Sequence, residues 1–309
     1  MGKPDDSAAE RPKLQDSGTR RLEGASSLVE VDLAGLSHPG RVRPNNEDHY
    51  LIARFDRAMR LISTNVPEGA VAQMSAETAY AMLVADGVGG SAAGEVASRT
   101  AAAELVGLAL ETPDWIMRLD EAMANQIMKR MEGRFRKIHE VLKERAQSDP
   151  ALRGMGTTLT LACTLGTDLL TTHVGDSRGY LLRGGELTRL TRDQTLAQSL
   201  ADAGEISQKE VAKHPTRHVL TSAIATRGAF LQVEFSLSRL EDGDRLLLCT
   251  DGLSEMVPDD TIARVLGNAR SSVKACRELV DLALEAGGRD NVTVVVAGYR
   301  IPPAARASA

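Results

Sequence analysis

Aromatic residues are scarce in this sequence: phenylalanine, tyrosine and tryptophan together make up 3% of its 309 residues. We therefore do not expect recognition that depends mainly on stacking bases or sugars against aromatic rings. Clusters of one charge are missing as well, because the net charge of -5 is spread along the chain. Without a basic cluster the sequence predicts no nucleic-acid partner, and without an acidic block it predicts no charged tail.

Cysteine and long apolar runs are rare too. The three cysteines, Cys163, Cys249 and Cys276, are odd in number and lack C-x-x-C spacing, which argues against a disulfide framework or a zinc site. Apolar neighbours around Cys163 and Cys249 predict reduced, buried thiols. No apolar run approaches the ~18 residues that span a bilayer, and the N-terminus lacks the apolar core of a signal peptide. We expect a cytoplasmic protein without membrane contact.

The polar and apolar residues divide the chain into three parts. Residues 1–28 are polar, of mixed charge and without periodicity, which predicts a disordered N-terminal arm. Residues 301–309 are predicted to be a C-terminal tail. No linker-like stretch interrupts residues 29–300, so we predict one domain there.

Within this domain the patterns of periods two and 3.6 predict strands in runs and helices in pairs. Strands are predicted at 29–37, 49–54, 79–85, 156–165, 168–175, 177–183, 186–190, 230–237, 244–250 and 291–300. Helices are predicted at 91–110, 114–147, 260–267 and 271–286. The stretch 55–78 is long for a hairpin and remains without assignment. Runs of strands and pairs of helices favour the α+β class, with two sheets and the helices outside them.

Three acidic residues stand at ends of predicted strands. Asp86 and Asp251 each follow an apolar run and precede a glycine, and Asp290 opens the last strand. A single aspartate at such a place is usually a turn residue, but strands that share a sheet can bring all three together. With the Gly87 carbonyl and waters they would give Mg²⁺ or Mn²⁺ an octahedron of oxygen ligands. Two such ions ~3.5–4 Å apart can share a hydroxide for an in-line displacement, so the set predicts a metal-dependent hydrolase.

A charged segment lies upstream of these aspartates. Arg43 can grip a phosphate with two parallel hydrogen bonds. Glu47 and Asp48 can hydrogen-bond to waters of a metal ion. A solvated loop with exposed charges is the alternative for this segment taken alone.

Several short motifs with these residues occur in a fixed order. They are Arg43-x-x-x-Glu47-Asp48, Asp86-Gly87-x-Gly89-Gly90, Gly156-Thr157-Thr158, Gly175-Asp176-Ser177-Arg178, Asp251-Gly252 and Arg289-Asp290-Asn291. Together they resemble the metal-dependent Ser/Thr protein phosphatases, the PPM or type 2C family, and in particular its bacterial branch. The match extends over about residues 29–300, and the ordered set is far more specific than any one motif.

The resemblance implies a role for each acid. Asp86 resembles the carboxylate that bridges two metal ions, and Gly87 the backbone-carbonyl ligand. Asp251 and Asp290 match the remaining ligands of the first metal. Asp176 matches an acid that, with Asp251, binds a third and weaker metal ion.

It also implies roles for the residues around the ions. Glu47 and Asp48 match residues that hold metal-bound waters, Arg43 matches the phosphate-binding arginine, and Asn291 matches the polar residue beside the last ligand. On this resemblance we predict Arg43, Asp86 and Asn291 as the catalytic residues. The family folds as a central antiparallel β-sandwich flanked by helices on both faces, in α-β-β-α layers. Residues 192–227 fall where the family carries a flap that shapes substrate access.

The function that the resemblance implies is hydrolysis of phosphoserine and phosphothreonine on proteins with Mn²⁺ or Mg²⁺. A bacterial Ser/Thr kinase would be the natural opposing partner, and we expect a monomer. One departure concerns the proton donor, because Val88 stands where some members have a histidine. The proton donor is therefore unassigned, and the candidates are a metal-bound water and the side chains of His38, His49, His214 and His218.

Two other functions compete with this interpretation. A phosphatase-like module that only binds partners would be expected to have lost its metal ligands, whereas all are present here. A dinucleotide-binding enzyme is suggested by the G-x-G-x-x-A pattern from Gly87 to Ala92, but that fingerprint also needs a second parallel strand ending in an acid.

Overall fold

The computed structural model describes residues 22–23, 29–63, 74–89, 92–111, 121–225 and 231–303. The strands are β1 (Leu22–Glu23), β2 (Glu30–His38), β3 (His49–Arg60), β4 (Met74–Ala85), β5 (Gly87–Val88), β6 (Gly156–Thr157), β7 (Leu159–Leu165), β8 (Asp168–Val174), β9 (Arg178–Arg183), β10 (Glu186–Arg189), β11 (Ile224–Ala225), β12 (Glu234–Arg239), β13 (Arg245–Cys249) and β14 (Val292–Arg300). The helices are α1 (Ala92–Glu111), α2 (Glu121–Ser148), α3 (Leu196–Asp202), α4 (Gln208–Val211), α5 (Asp251–Ser254), α6 (Asp259–Asn268) and α7 (Ser272–Glu285).

The strands form two large sheets and one small sheet. The first has the order β1-β4-β7-β8-β12, with β3 also paired to β4, and the second has the order β10-β9-β13-β14-β2. Their pairings are antiparallel, apart from the short parallel contact between β1 and β4. The third sheet joins β5, β6 and β11 beside the end of β4.

The stretch that had no assignment from sequence belongs mostly to a long hairpin. Strands β3 and β4 are paired from His49 with Ala85 to Arg60 with Met74. Both strands are therefore longer than predicted, and residues 64–73 between them lie outside the described residues. The polar residues of their outer halves hide the strand pattern, because these halves bury little surface.

The two large sheets face each other and enclose a shared apolar layer. Met82 and Val84 from the first sheet pack with Leu248 and Val295 from the second. On the outer side of the first sheet, α1 and α2 cover a cluster that contains the fully buried Phe135. On the outer side of the second, α5, α6 and α7 cover another cluster. The predicted α+β fold, a β-sandwich with helices on both faces, is confirmed.

The helices form where the apolar spacing predicts them. In α2, Phe135, Ile138 and Leu142 are fully buried at spacings of three and four residues, so they form one stripe against the sheet. Burying each such side chain stabilises the fold by about 1.5–3 kcal/mol. The predicted start of this helix, at 114–120, lies outside the described residues.

The chain ends differ in what is described. Of the predicted N-terminal arm, Leu22–Glu23 runs parallel to β4 and residues 1–21 and 24–28 lie outside the described residues. At the other end Ile301, which was predicted to belong to the tail, is buried, and its N–H donates to Asp242 Oδ1 at 2.9 Å. The folded part therefore extends past residue 300. Among the described helices, none has the length and apolar content to cross a membrane.

Candidate metal centre

The chain topology brings the strand-end acids to one edge of the sandwich. Strands β13 and β14 are antiparallel neighbours, with Cys249 opposite Val294. The residues after β13 and before β14 therefore lie at the same edge, which places Asp251 and Asp290 together. Asp86 arrives from the first sheet, directly after β4.

The electrostatics of Asp86 identify its neighbours. Removal from bulk water raises the pKa of its carboxyl well above the ordinary value, and the negative charges of Asp48, Asp251, Asp176 and Asp290 raise it further. Five acids that are far apart in the sequence thus share one site, as the sequence analysis predicted for three of them.

The backbone around Asp86 is held by the Gly156-Thr157-Thr158 motif. The carbonyl oxygen of Asp86 accepts from Thr158 N at 2.9 Å and from Thr157 Oγ1 at 2.8 Å. The N–H of Asp86 donates to Thr158 Oγ1 at 3.1 Å. This motif therefore positions Asp86.

Gly87 lies where two other segments meet the Asp86 turn. A Cβ atom there would come within 2.3 Å of Gly94 O and 2.7 Å of Glu47 O. Both are backbone atoms, so no side chain can be accommodated without moving α1 or the Glu47 loop. The glycine lets the three segments close around the site.

Asp48 is the most deeply buried acid of the group, at 4% exposure. Its Oδ2 accepts from Thr250 Oγ1 at 2.8 Å, and Thr250 Oγ1 in turn accepts from Thr293 N at 3.0 Å. Its Oδ1 is buried and has no hydrogen-bond partner among the described residues. Burial raises the pKa of Asp48 to about 7, with a further rise from the charges of Asp251 and Asp290. A buried, unsatisfied carboxylate oxygen needs a partner such as a cation or its water.

Glu47 lies next to Asp48, and its backbone is fixed by two side chains. Ser98 Oγ donates to Glu47 O at 2.5 Å, and Glu47 N donates to Asn291 Oδ1 at 2.7 Å. The Glu47 carboxylate lies against Gly94 of α1, where a Cβ would approach Oε2 within 2.1 Å. Its pKa is raised by burial, although the charge of Arg43 acts in the opposite direction.

Asn291 contacts the upstream loop through its whole carboxamide. Besides accepting from Glu47 N, it donates from Nδ2 to Asn45 O at 2.8 Å and to Pro39 O at 3.0 Å. The sequence analysis placed Asn291 among the catalytic residues; in the structure its amide oxygen and nitrogen are engaged with backbone groups of the upstream loop.

Asp176 sits on a turn that several residues hold. Gly175 has φ of +112°, and its N–H donates to Gln194 Oε1 at 2.9 Å. Ser177 Oγ and Thr158 Oγ1 are 2.8 Å apart, which ties the turn to the Asp86 motif. Burial raises the pKa of Asp176 well above its usual value, and Asp251 contributes next. Asp176 thus faces Asp251, as the resemblance implied.

Arg43 reaches the centre from its outer side. Its Nη2 lies 2.5 Å from Asp290 Oδ2, and the two side chains are 56% and 37% exposed. An exposed guanidinium beside the acids has the position that a phosphate-binding group requires.

A pair of residues that the sequence analysis did not combine lies beside Asp251. His218 Nδ1 is 3.1 Å from Glu255 Oε1, and the ligand atoms of His218, Glu255 and Asp251 all lie within 4.8 Å of one another. Among the described residues, no three of the predicted carboxylate ligands have oxygen atoms that all lie within 4.8 Å of one another. Glu255 follows Asp251 by one helical turn, and that spacing was the available signal for its proximity.

The donors fit Mn²⁺ or Mg²⁺. Carboxylates, a backbone carbonyl and the unsatisfied oxygen of Asp48 are hard oxygen ligands, and the cluster contains no thiolate. Both ions prefer such ligands and retain waters in their shells, so the carboxylates need not touch one another. The residues also carry more negative charge than Arg43 alone balances, which favours a cation.

The sequence and the fold of this chain match known proteins. A family model described as protein phosphatase 2C matches residues 69–285. The serine/threonine protein phosphatase PstP of Mycobacterium tuberculosis is 39% identical over 267 residues, which cover 85% of this chain and 44% of that protein. The protein phosphatase PhpP of Streptococcus pneumoniae is 31% identical over 267 residues, covering 86% of this chain and 96% of PhpP.

A solved structure agrees with these relatives. The catalytic domain of PstP in complex with two manganese ions is 34% identical, with a TM-score of 0.67, and covers 88% of this chain and 99% of that one. The chain thus spans less than half the length of full PstP but nearly all of its solved catalytic domain. Because the family model and the relatives agree over most of the folded part, this chain belongs to the protein phosphatase 2C family.

Proposed function

We propose that this chain is a metal-dependent protein serine/threonine phosphatase. The observation that carries the proposal is the convergence of Asp86, Asp251 and Asp290 with the buried Asp48, whose Oδ1 has no partner among the described residues. The named activity of relatives at 39% and 31% identity supports the same conclusion. A module that only binds partners is not favoured, because the sequence retains every residue of the predicted ligand set.

Four groups would hold the two ions: the carboxylates of Asp86, Asp251 and Asp290 and the carbonyl of Gly87. Asp176 would serve a third, weaker site together with Asp251. When bound, Mn²⁺ or Mg²⁺ supplies an activated water for attack on phosphorus and neutralises charge on the phosphoryl oxygens. The relative solved with two manganese ions supports this assignment.

The remaining residues act on the substrate and on the waters. Arg43 binds the phosphoryl group through its guanidinium and aligns phosphorus with the attacking oxygen. Glu47 and Asp48 orient waters by accepting their protons in hydrogen bonds. Asn291 acts indirectly, because its carboxamide fixes the loop that carries Glu47.

The proposal is tested with the purified chain and phosphoserine and phosphothreonine peptides. Phosphate release should disappear after treatment with EDTA and return with Mn²⁺. Asp86→Asn should abolish turnover, because it weakens the bridging ligand, whereas Asp281→Asn on the exposed side of α7 should leave it unchanged. Full activity of the metal-stripped protein would contradict the proposal.

The substrates are phosphorylated proteins, and we propose that this enzyme reverses the phosphorylation carried out by a bacterial Ser/Thr kinase. A location in the cytoplasm agrees with the three free cysteines, since cytoplasmic thiols stay reduced, and we further propose that the protein is a monomer. Co-expression with a kinase and detection of lost phosphorylation would test the pairing.

A further inference from the structure

Hydrolysis of a phosphoserine or phosphothreonine ester needs a proton at the leaving oxygen. A serine or threonine alkoxide is a strong base and leaves slowly unless it is protonated as the P–O bond breaks. Val88, 42% exposed beside the Asp86 turn, carries no proton to give. The inference below rests on the proposed function and concerns which residue supplies that proton.

The sequence contains six histidines, and all of them lie in the described residues. Two are accounted for by their surroundings: His139 is half-buried on α2, and His173 is 1% exposed, with its ring nitrogens bonded to Thr160 Oγ1 and to the carbonyls of Gly175 and Arg192. His214 is occupied by its neighbour Thr216, with Nδ1 2.8 Å from Oγ1.

The two histidines near the Arg43 loop are also engaged elsewhere. His38 Nδ1 accepts from Gly40 N at 3.0 Å. His49 Nδ1 is 2.9 Å from Ser98 Oγ on α1, and burial lowers the pKa of the ring. The Nδ1 atoms of both rings are therefore engaged in loop structure.

His218 differs from the other five in its position and its partner. It lies in the flap, and its side chain is 45% exposed. Its Nδ1 is 3.1 Å from Glu255 Oε1, and its ligand atom lies within 4.8 Å of those of Glu255 and Asp251. The remaining nitrogen, Nε2, makes no hydrogen bond to the described residues that fixes it elsewhere.

The flap backbone holds this imidazole in place. Leu196 N donates to Val219 O at 2.8 Å, and Thr195 forms an antiparallel bridge with Leu220. The residue before His218 is Arg217, and its Nε lies 3.6 Å from Glu255 Oε1. The groups that face His218 are thus Arg217 in the flap, Asp251 at the start of α5 and Glu255 at its end.

We propose that His218 is the general acid of this phosphatase and that Glu255 is its positioning residue. Nδ1–H donates to the Glu255 carboxylate, which leaves Nε2–H directed to the substrate. As the water oxygen forms its bond to phosphorus, the seryl or threonyl oxygen leaves with the electrons of the P–O bond and takes the proton from Nε2. The neutral ring regains a proton from solvent before the next turnover.

Leaving groups of different basicity provide the test. General acid catalysis contributes about 10²–10⁴-fold to a reaction that requires it. His218→Gln should therefore lower kcat/KM for a phosphoserine peptide by about 10²-fold or more. Its hydrolysis of p-nitrophenyl phosphate should change little, because p-nitrophenolate is a weak base that leaves without a proton. His214→Gln, a change of the other flap histidine, is the matched control and should leave both substrates unaffected.

Two further measurements separate proton donation from a structural or metal-binding role. Free imidazole should restore phosphoserine hydrolysis to His218→Gly, and Glu255→Gln should cause a smaller loss in the same direction. Mn²⁺ affinity, measured by calorimetry, should be the same in His218→Gln as in the unchanged protein.

Three results would overturn the inference: equal losses on both substrates, no loss on the phosphoserine peptide, or weaker Mn²⁺ binding by His218→Gln. The last result would make His218 a metal ligand. If instead the unchanged protein with Mn²⁺ hydrolyses neither substrate, the proposed function fails, and that outcome is distinct from the three above.

Discussion

Asn291 Oδ1 accepts a hydrogen bond of 2.7 Å from the N–H of Glu47, across 244 positions of sequence. This contact joins the loop before β14, which carries Asp290, to the loop before β3, which carries Glu47 and Asp48. The geometry of the candidate centre depends on that junction, because the two loops supply groups on opposite sides of it.

Asn291→Ala should therefore weaken metal binding at the centre and lower the stability of the fold. It leaves Glu47 N, Asn45 O and Pro39 O without their partner, and each lost hydrogen bond costs about 0.5–1.5 kcal/mol. We expect a lower free energy of unfolding in urea and a weaker calorimetric affinity for Mn²⁺. Asn268→Ala, at the exposed end of α6, should change neither quantity. Unchanged Mn²⁺ affinity in Asn291→Ala would contradict the positioning role.

Thr250→Val should weaken metal binding through Asp48. The substitution keeps the shape of the side chain but removes the hydroxyl that donates to Asp48 Oδ2 and accepts from Thr293 N. Loss of a buried hydrogen bond to a charged group costs about 1.5–3 kcal/mol, so urea denaturation should show a loss of this size.

Thr171→Val is the matched control for that change. Thr171 is equally buried, at 2% exposure, and its Oγ1 has no hydrogen-bond partner among the described residues. Removing its hydroxyl should be neutral or stabilising. Equal losses from both substitutions would mean that the Thr250 hydroxyl has no particular role at Asp48.

Gly87→Ala should be far more disruptive than an alanine elsewhere. Its Cβ would lie 2.3 Å from Gly94 O and 2.7 Å from Glu47 O, and such overpacking costs about 1–3 kcal/mol. In Gly107→Ala, on the exposed side of α1, the new Cβ meets nothing within 4 Å. That control should stabilise the helix by about 0.5–1 kcal/mol. Thermal unfolding of the two variants should shift in opposite directions.

The metal-free protein should lose stability as the pH rises. The pKa of Asp48 and of Asp251 is raised to about 7, mainly by burial, while aspartates in the unfolded chain have a pKa of about 3.9. Between these values the folded chain binds more protons than the unfolded chain, so the free energy of unfolding falls with increasing pH. The melting temperature in EDTA should decrease from about pH 4 to pH 7.

Mn²⁺ should act in the opposite sense over the same range. Protons compete with the cation for these carboxylates, so the rise in melting temperature on adding Mn²⁺ should grow with pH. Asp48→Asn should reduce the slope of the metal-free protein. A metal-free melting temperature that is flat over this range would contradict the raised pKa values.

Local sequence patterns were enough to predict most elements of this fold. Strands such as β7, β8 and β13 are short apolar runs bounded by turns, and α2 shows its buried stripe in its spacing. The long hairpin of β3 and β4 was missed, since its outer half is polar and lacks a period. Burial of Ile301 was missed because it depends on a distant contact with Asp242.

The order and chemistry of the motifs were likewise visible in the sequence: acids at strand ends, glycines that allow close approach, and an arginine upstream. Which acids share an edge was decided by the antiparallel pairing of β13 with β14 and by the packing of the first sheet against them. The tertiary structure likewise decided that Asn291 holds the loop of Glu47 and that His218 lies beside Glu255. Period and propensity act within a turn or two of chain, whereas contacts across hundreds of residues depend on how whole sheets bury their apolar faces.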